Sequence, residues 1–232
     1  MIAALDLLHA RVRRSALLER VVVATRCLFA MAFVPTGLVK AMGERFTQID
    51  TVSPIGAFFE AMYATGGYWR FLGLAQVVAG LLMLMPRTAT FAAVAFFPVA
   101  LNIFVITVTL GFRGTPFITG PMLAGAAALL AWDWHRLRGI VTSAAPAPGS
   151  IRPGFEPGLP WPLWERAAYA VGTAAGLAVF AAVRSLLPMS VVGGAVVVGL
   201  VAALAAAVGA LRALLAGRRP APPSGGEAAP IA

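Results

Sequence analysis

Residues 21–40 read VVVATRCLFAMAFVPTGLVK, an apolar run interrupted by two charges, Arg26 and Lys40. At about 1.5 Å of rise per residue, a helix of this length crosses the roughly 30 Å hydrocarbon core of a bilayer. The charges say how such a helix must be turned. Glu19, Arg26, Phe33 and Lys40 recur every seven residues, and Gly37 falls close to the same line, so one edge of the helix is polar along its length. A charge at the bilayer centre costs at least about 2.5 to 3.5 kcal/mol, so this edge is expected against neighbouring helices and not against lipid.

Five further stretches approach the same length and apolarity: Tyr68 to Met85, Thr88 to Leu110, Pro116 to Trp134, Ala167 to Leu187 and Met189 to Leu214. The second and fourth of the six spans are short and use Tyr68, Trp69, Trp132 and Trp134 as interfacial belt residues. Composition agrees with an integral membrane protein. The 232 residues are 60% hydrophobic and only 12% charged, with a mean hydropathy of +0.86, which leaves too little charge to cover a water-facing surface. The net charge of +9 comes from Arg residues flanking apolar runs, which argues for membrane orientation and against nucleic acid. A single cysteine, Cys27, excludes an internal disulfide, a CxxC redox centre and a cysteine-clustered metal site. His9 and His135 both lie outside the apolar runs, so a bis-histidine haem inside a helix bundle is excluded as well.

The fold expected is all-α with six spans, and the punctuation divides it. Residues 1–20 place Ile2, Leu5, Leu8, Val12 and Ala16 on one face with Arg11 and Arg14 off it, an amphipathic helix lying on the membrane. A cleaved signal peptide is the alternative, but it is not expected, because the apolar run is too long for one, contains Arg26 and ends at Lys40 without a small-x-small cleavage site. Residues 21–140 form a four-helix core. In it Pro86-Arg87 forces a tight turn, and Thr115-Pro116 reads as an N-cap followed by proline at the first helical position. A Pro-rich linker covers 141–163, a two-helix hairpin turning at Leu187-Pro188-Met189 covers 164–217, and a disordered tail covers 218–232. Between the first two spans, Ser53-Pro54 offers a helix start, with Ile55, Phe58, Phe59, Met62 and Tyr63 at helical spacing. A short amphipathic helix is expected there, across the mouth of the bundle. With the N-terminus in the cytoplasm, twelve Lys and Arg residues fall inside and five outside, so both termini are expected to be cytoplasmic.

The run Arg26-Cys27-Leu28-Phe29 through Phe33-Val34-Pro35-Thr36-Gly37-Leu38-Val39-Lys40 resembles the first-helix signature of the DoxX family of bacterial membrane proteins, an Arg, an aromatic stretch and Gly-x-x-Lys. Gln76-Val77-Val78-Ala79-Gly80-Leu81-Leu82-Met83-Leu84 is similar to that family's second-helix motif. Leu101-Asn102-Ile103, Gly114-Thr115-Pro116 and Trp132-Asp133-Trp134 are similar to one DoxX-like branch. The resemblance covers roughly residues 17–140. It implies a four-helix core in the bacterial inner membrane and a link to membrane-bound oxidoreductase assemblies with thiosulfate and quinone chemistry. The chain departs from the pattern at Gln76, where the family usually has Glu, and in its added linker and last two helices.

The polar residues inside the spans supply the candidate sites. Arg26, about a turn and a half into the first span, and Asp133, closing the fourth at the same end, read either as a neutralising salt bridge, which is favoured, or as an anion site built on Arg26. At the other end Lys40 and Arg70 could hold an acidic head group while the bundle takes a hydrophobic tail, or could pair with Glu44 or Glu60. Gln76 and Asn102 are expected to make interhelical hydrogen bonds, with ligand contact as the alternative. Thr107 and Thr109 are expected to bond to their own helix. Gly172-x-x-x-Gly176, Ala195-x-x-x-Gly199 and Ala205-x-x-x-Gly209 are small-residue packing faces that suit a tight hairpin or a homo-oligomer contact.

No catalytic constellation is visible. Asp133 and His135 are two apart and face different ways, His9 has no neighbouring ligand in sequence, and there is no Walker A, HExxH or nucleophile elbow. The expectation is a non-catalytic membrane component with no metal or resident cofactor, binding a hydrophobic small molecule, a lipid or a partner protein. The alternatives are a membrane subunit of a quinone-linked oxidoreductase, with a quinone as ligand and an oxidoreductase as partner, and a small transporter, although no inverted repeat is visible.

Overall fold

The computed structural model describes residues 2–151 and 161–215. Among them there are nine helices and no strand: α1 (Ile2–Arg13), α2 (Ala16–Ala41), α3 (Pro54–Ala64), α4 (Gly67–Leu84), α5 (Ala89–Thr109), α6 (Pro116–Trp132), α7 (Trp134–Val141), α8 (Leu163–Val183) and α9 (Val191–Leu215). Part of the Pro-rich linker and all of the tail expected at 218–232 lie outside the described residues.

Five helices, α2, α4, α5, α8 and α9, are long and apolar enough to cross a membrane. The expected fourth span is shorter than the sequence suggested. α6 has 17 residues and stops at Trp132, because the backbone at Asp133 leaves helical geometry (φ −97°, ψ 19°) before α7 begins at Trp134. The first span is longer than expected. Ser15 takes extended backbone geometry and its hydroxyl accepts the Leu18 N–H at 3.3 Å, so α2 starts at Ala16 and the single helix expected over 1–20 is cut in two. The cap expected at Thr115 does not form. Its backbone is already αR, and its side chain makes no capping bond ahead of Pro116.

α2 is the central helix, packed most extensively on α4 and then on α8. The α2–α4 approach depends on two missing side chains: a Cβ on Gly37 would sit 2.7 Å from the Gly73 carbonyl oxygen, and one on Gly73 would strike the Ala41 amide nitrogen. Phe29, Phe33 and Phe96 form the middle of the core, with ring centroids 4.5 to 6.2 Å apart, packed against Ala92, Ala93, Ala100, Leu129 and Trp132. Pro35 sits inside α2 without breaking it, and the Thr36 hydroxyl bonds back to the Ala32 carbonyl at 2.8 Å. α5 and α6 are tied by the Thr107 and Thr119 hydroxyls, 2.9 Å apart. α8 and α9 form an antiparallel hairpin laid against α2. Of α9 only Ala202, Gly209 and Ala213 are buried, so a helix that is apolar on all sides turns most of its surface outward, as lipid contact allows. α3 starts at Pro54 with Ser53 capping the Gly56 N–H at 3.0 Å.

The end of the bundle where α2 begins is called proximal here, and the end where α2 finishes is called distal.

Candidate functional site

Three arginines at the proximal end, Arg20, Arg26 and Arg138, each meet a carboxylate. Arg26 Nη2 donates to Asp133 Oδ2 at 3.2 Å, and the same oxygen accepts from the Thr90 hydroxyl at 2.7 Å, which in turn accepts from Arg136. Arg20 and Glu165 form a two-pronged pair linking α2 to α8, with Nη2 to Oε2 at 2.8 Å and both side chains buried. Arg20 also lies over the Trp161 ring, 4.9 Å from its centroid. Room for Glu165 comes from α9, where any Cβ on Gly209 would collide with the carboxylate. One buried ion pair thus holds three helices in register.

α1 is docked on this end by its polar edge. The Asp6 carboxylate accepts from the Arg138 guanidinium at 3.2 Å, the Trp134 indole N–H at 2.9 Å and the Ala147 amide at 3.2 Å. Burial alone would raise the Asp6 pKa, but these donors outweigh it and hold the carboxyl below the usual carboxylate value. The His9 and His135 rings stack at 5.3 Å, His9 Nε2 lies 2.9 Å from the Trp132 carbonyl oxygen, and burial pulls the His9 pKa below the ordinary imidazole value. Meanwhile Leu5 and Leu8 point outward. The helix therefore lies with acid, imidazole and arginine toward the protein and leucines away from it, the arrangement an interfacial helix needs. His9, which seemed isolated in the sequence, has a histidine neighbour from a segment 126 residues away. Among the described residues no group of three or more His, Cys, Asp or Glu side chains that could hold a metal ion comes together.

Distal charge is arranged differently. Lys40 is only 6% exposed, yet its partners are the neutral Gln76 amide oxygen at 3.0 Å, the Thr36 carbonyl at 3.4 Å and the rings of Phe46 and Trp69 at 4.1 and 5.6 Å. Arg184, capping α8, approaches the same Phe46 ring at 4.3 Å and donates to the Phe46 carbonyl at 3.1 Å. Arg70 lies against Gly43, whose Cβ position is 2.9 Å from Nε. The pairing of Lys40 or Arg70 with Glu44 or Glu60 is not formed. Glu60 is taken by Arg45 in an exposed two-pronged pair, with Nη2 to Oε1 at 2.7 Å and Nε to Oε2 at 3.0 Å. Hydrogen bonding from Arg45 keeps the Glu60 carboxyl below its ordinary pKa.

Beside these charges runs a long apolar groove. It has a volume of about 580 Å³, is walled by α2 and α9 and floored by α8, and opens along its side. Val21 and Leu28, Gly172 and Thr173, and Ala203 and Ala206 mark its three surfaces, and Phe180 lies toward its distal end. None of Arg26, Asp133, Lys40, Arg70, Gln76 or Asn102 lines it. Gln76 makes the interhelical bond expected of it, to Lys40. Asn102 does not: it is exposed on α5 and has no hydrogen-bond partner among the described residues, because the tight face of α5 is the alanine face of Ala92, Ala93 and Ala100. Arg20, Glu165, Arg184 and Phe46 escaped the sequence reading. Arg20 and Arg184 each look like ordinary charges at a helix end, and only the proximity of α8 to α2 reveals their partners.

Comparisons with known proteins yield little. No family model matches the chain, and no solved structure matches it. The uncharacterized protein YwoB of Bacillus subtilis (strain 168) is 29% identical over 99 residues, 40% of this chain and 64% of that protein, so the chain spans just under two thirds of this relative's length.

Proposed function

We propose that this protein is a non-catalytic, multi-pass component of the bacterial inner membrane, of the DoxX-like type, that binds a hydrophobic molecule in the groove between α2, α8 and α9. The observation that carries the reading is that groove: about 580 Å³, almost entirely apolar in lining, and open sideways where bilayer lipid would stand. It lies where the helices added to the four-helix core meet it, which gives those helices a purpose. α6 counts as a sixth span in this reading. Its 17 residues are about 26 Å long, its Thr119 is bonded to distal Thr107, and its end at Asp133 is bonded to proximal Arg26. With six spans, the distribution of Lys and Arg supports an orientation with both termini in the cytoplasm and the distal end outside. In a Cys27→Ser background, cysteine introduced at Ser53 should then react with an impermeant thiol reagent in intact cells, and cysteine at Ser150 should not.

The decisive experiment is mass spectrometry of small molecules co-purified without detergent. The wild type should retain a lipid or other hydrophobic molecule. Ala206→Phe, which fills the groove from the α9 wall, should retain several-fold less while staying folded. Equal retention by both proteins would overturn the groove reading, and a stoichiometric quinone would favour an oxidoreductase subunit.

A further inference from the structure

We infer that the distal mouth is an anion site that takes the phosphate head group of an acidic membrane lipid whose chain lies in the groove; the inference rests on the groove reading. Three cations from three helices converge on one short segment, residues 43–46. Arg70 of α4 lies against Gly43, while Lys40 of α2 and Arg184 after α8 both approach the Phe46 ring. Among the described residues none of the three is within salt-bridge distance of a carboxylate. Lys40 has a neutral amide where a carboxylate would have neutralised it, and Arg184 has a backbone carbonyl. The acid of the segment, Glu44, is exposed and outside any salt bridge, and Trp69 donates to its backbone oxygen at 2.8 Å. Glu60 is already held by Arg45. Positive charge gathered at a membrane mouth and left without internal acids is what a bound anion would compensate.

Its position relative to the groove selects the anion. Arg184 follows Phe180 by four residues and its amide still bonds to the Phe180 carbonyl at 3.1 Å, so it stands one helical turn beyond a residue that lines the groove. A molecule lying in the groove with its tail toward the proximal end would bring its polar end to Arg184, which shares the Phe46 ring with Lys40, while Arg70 lies against Gly43 of the same segment. The shared chemistry is a phosphate, and the groove makes a lipid the source.

The test uses the full chain in phosphatidylcholine nanodiscs, with spin-labelled phosphatidylglycerol and spin-labelled phosphatidylcholine as probes of the motionally restricted lipid. Wild type should prefer the glycerol lipid about fivefold or more, roughly the contribution of one cation near a membrane surface. Arg184→Gln and Arg70→Gln together should bring the ratio close to one while leaving total restricted phosphatidylcholine unchanged. Both substitutions lie outside the core, so folding is not at risk. Ala206→Phe should instead reduce restriction of both lipids, which separates failure of the groove from failure of the head-group site. Equal association of the two lipids with wild type would overturn the inference, as would a preference that survives the double substitution. Inorganic phosphate, but not chloride of equal ionic strength, should reduce the preference by competing for the same cations, and a preference untouched by phosphate would overturn recognition of the head-group phosphate.

Discussion

The proximal end of the bundle carries more cations than the distal end, and the two ends hold theirs in different ways. Proximally, Arg20 meets Glu165, Arg26 meets Asp133 and Arg138 meets Asp6, and each pair ties together segments remote in sequence. Distally, Lys40 and Arg184 meet an amide, a carbonyl and a shared aromatic ring. Removing half of an ion pair strands a buried charge, whereas a cation held by neutral dipoles stays available to an external anion. Architecture is thus concentrated at one end and recognition at the other.

The largest effect should come from breaking the Arg20–Glu165 pair. Glu165→Ala leaves a buried guanidinium without its acid and loosens the contact that joins α2, α8 and α9. Thermal unfolding in a fixed lipid should show a loss of about 3 to 5 kcal/mol, much of it recovered when Arg20 is also replaced by Met. Next is Arg26 with Asp133. Arg26 is the more exposed partner, so Arg26→Ala should cost about 2 to 3 kcal/mol, and the double replacement should again be less than additive. Strict additivity would mean that the pair contributes nothing as a pair. Gly73→Ala should cost about 1 to 3 kcal/mol, because the new methyl meets backbone on α2, which cannot move aside without opening the distal end.

Acid should release α1 before it disturbs the spans. For both His9 and Asp6 the folded-state pKa is below the ordinary value, 6.5 and 3.8 respectively, so the unfolded or undocked chain binds protons more readily. Their contributions are fully present above those values and are lost as pH falls through the folded pKa of each. The protection factors of residues 2–13 in hydrogen exchange, the intrinsic rate at each pH divided by the observed one, should therefore fall first below about pH 6.5 and again below about pH 3.8. The smallest effect belongs to the exposed Arg45–Glu60 pair, whose replacement by alanines should leave the unfolding temperature unchanged within error.

Much of this fold could be read locally. The polar edge Glu19, Arg26, Phe33 and Lys40 follows from a seven-residue spacing, and the α3 start at Ser53-Pro54 from capping chemistry, because both signals lie within a few turns of one helix. The partner of Arg26 was legible because so few acids lie near span ends. Arg20–Glu165 was not: the residues are 145 apart, and each reads alone as a soluble-looking charge beside an apolar run. The same distance hid the His9–His135 stack. Asn102 misled for another reason: a polar residue in a membrane helix is expected inward, but here the small residues of α5 occupy the packed face. The groove was invisible because it belongs to no single helix, only to the gap left by small residues on α8 and α9 beside α2.

The contrast between the two ends is tested most directly by thermal unfolding of three full-length proteins in phosphatidylcholine nanodiscs with and without phosphatidylglycerol: wild type, Arg26→Gln/Asp133→Asn and Arg184→Gln/Arg70→Gln. A ligand that binds only the folded state raises its unfolding temperature. Wild type and the proximal variant should both be stabilised by the acidic lipid, whereas the distal variant should unfold like wild type in pure phosphatidylcholine and show no gain. Equal stabilisation of all three proteins would contradict the division of labour between the two ends.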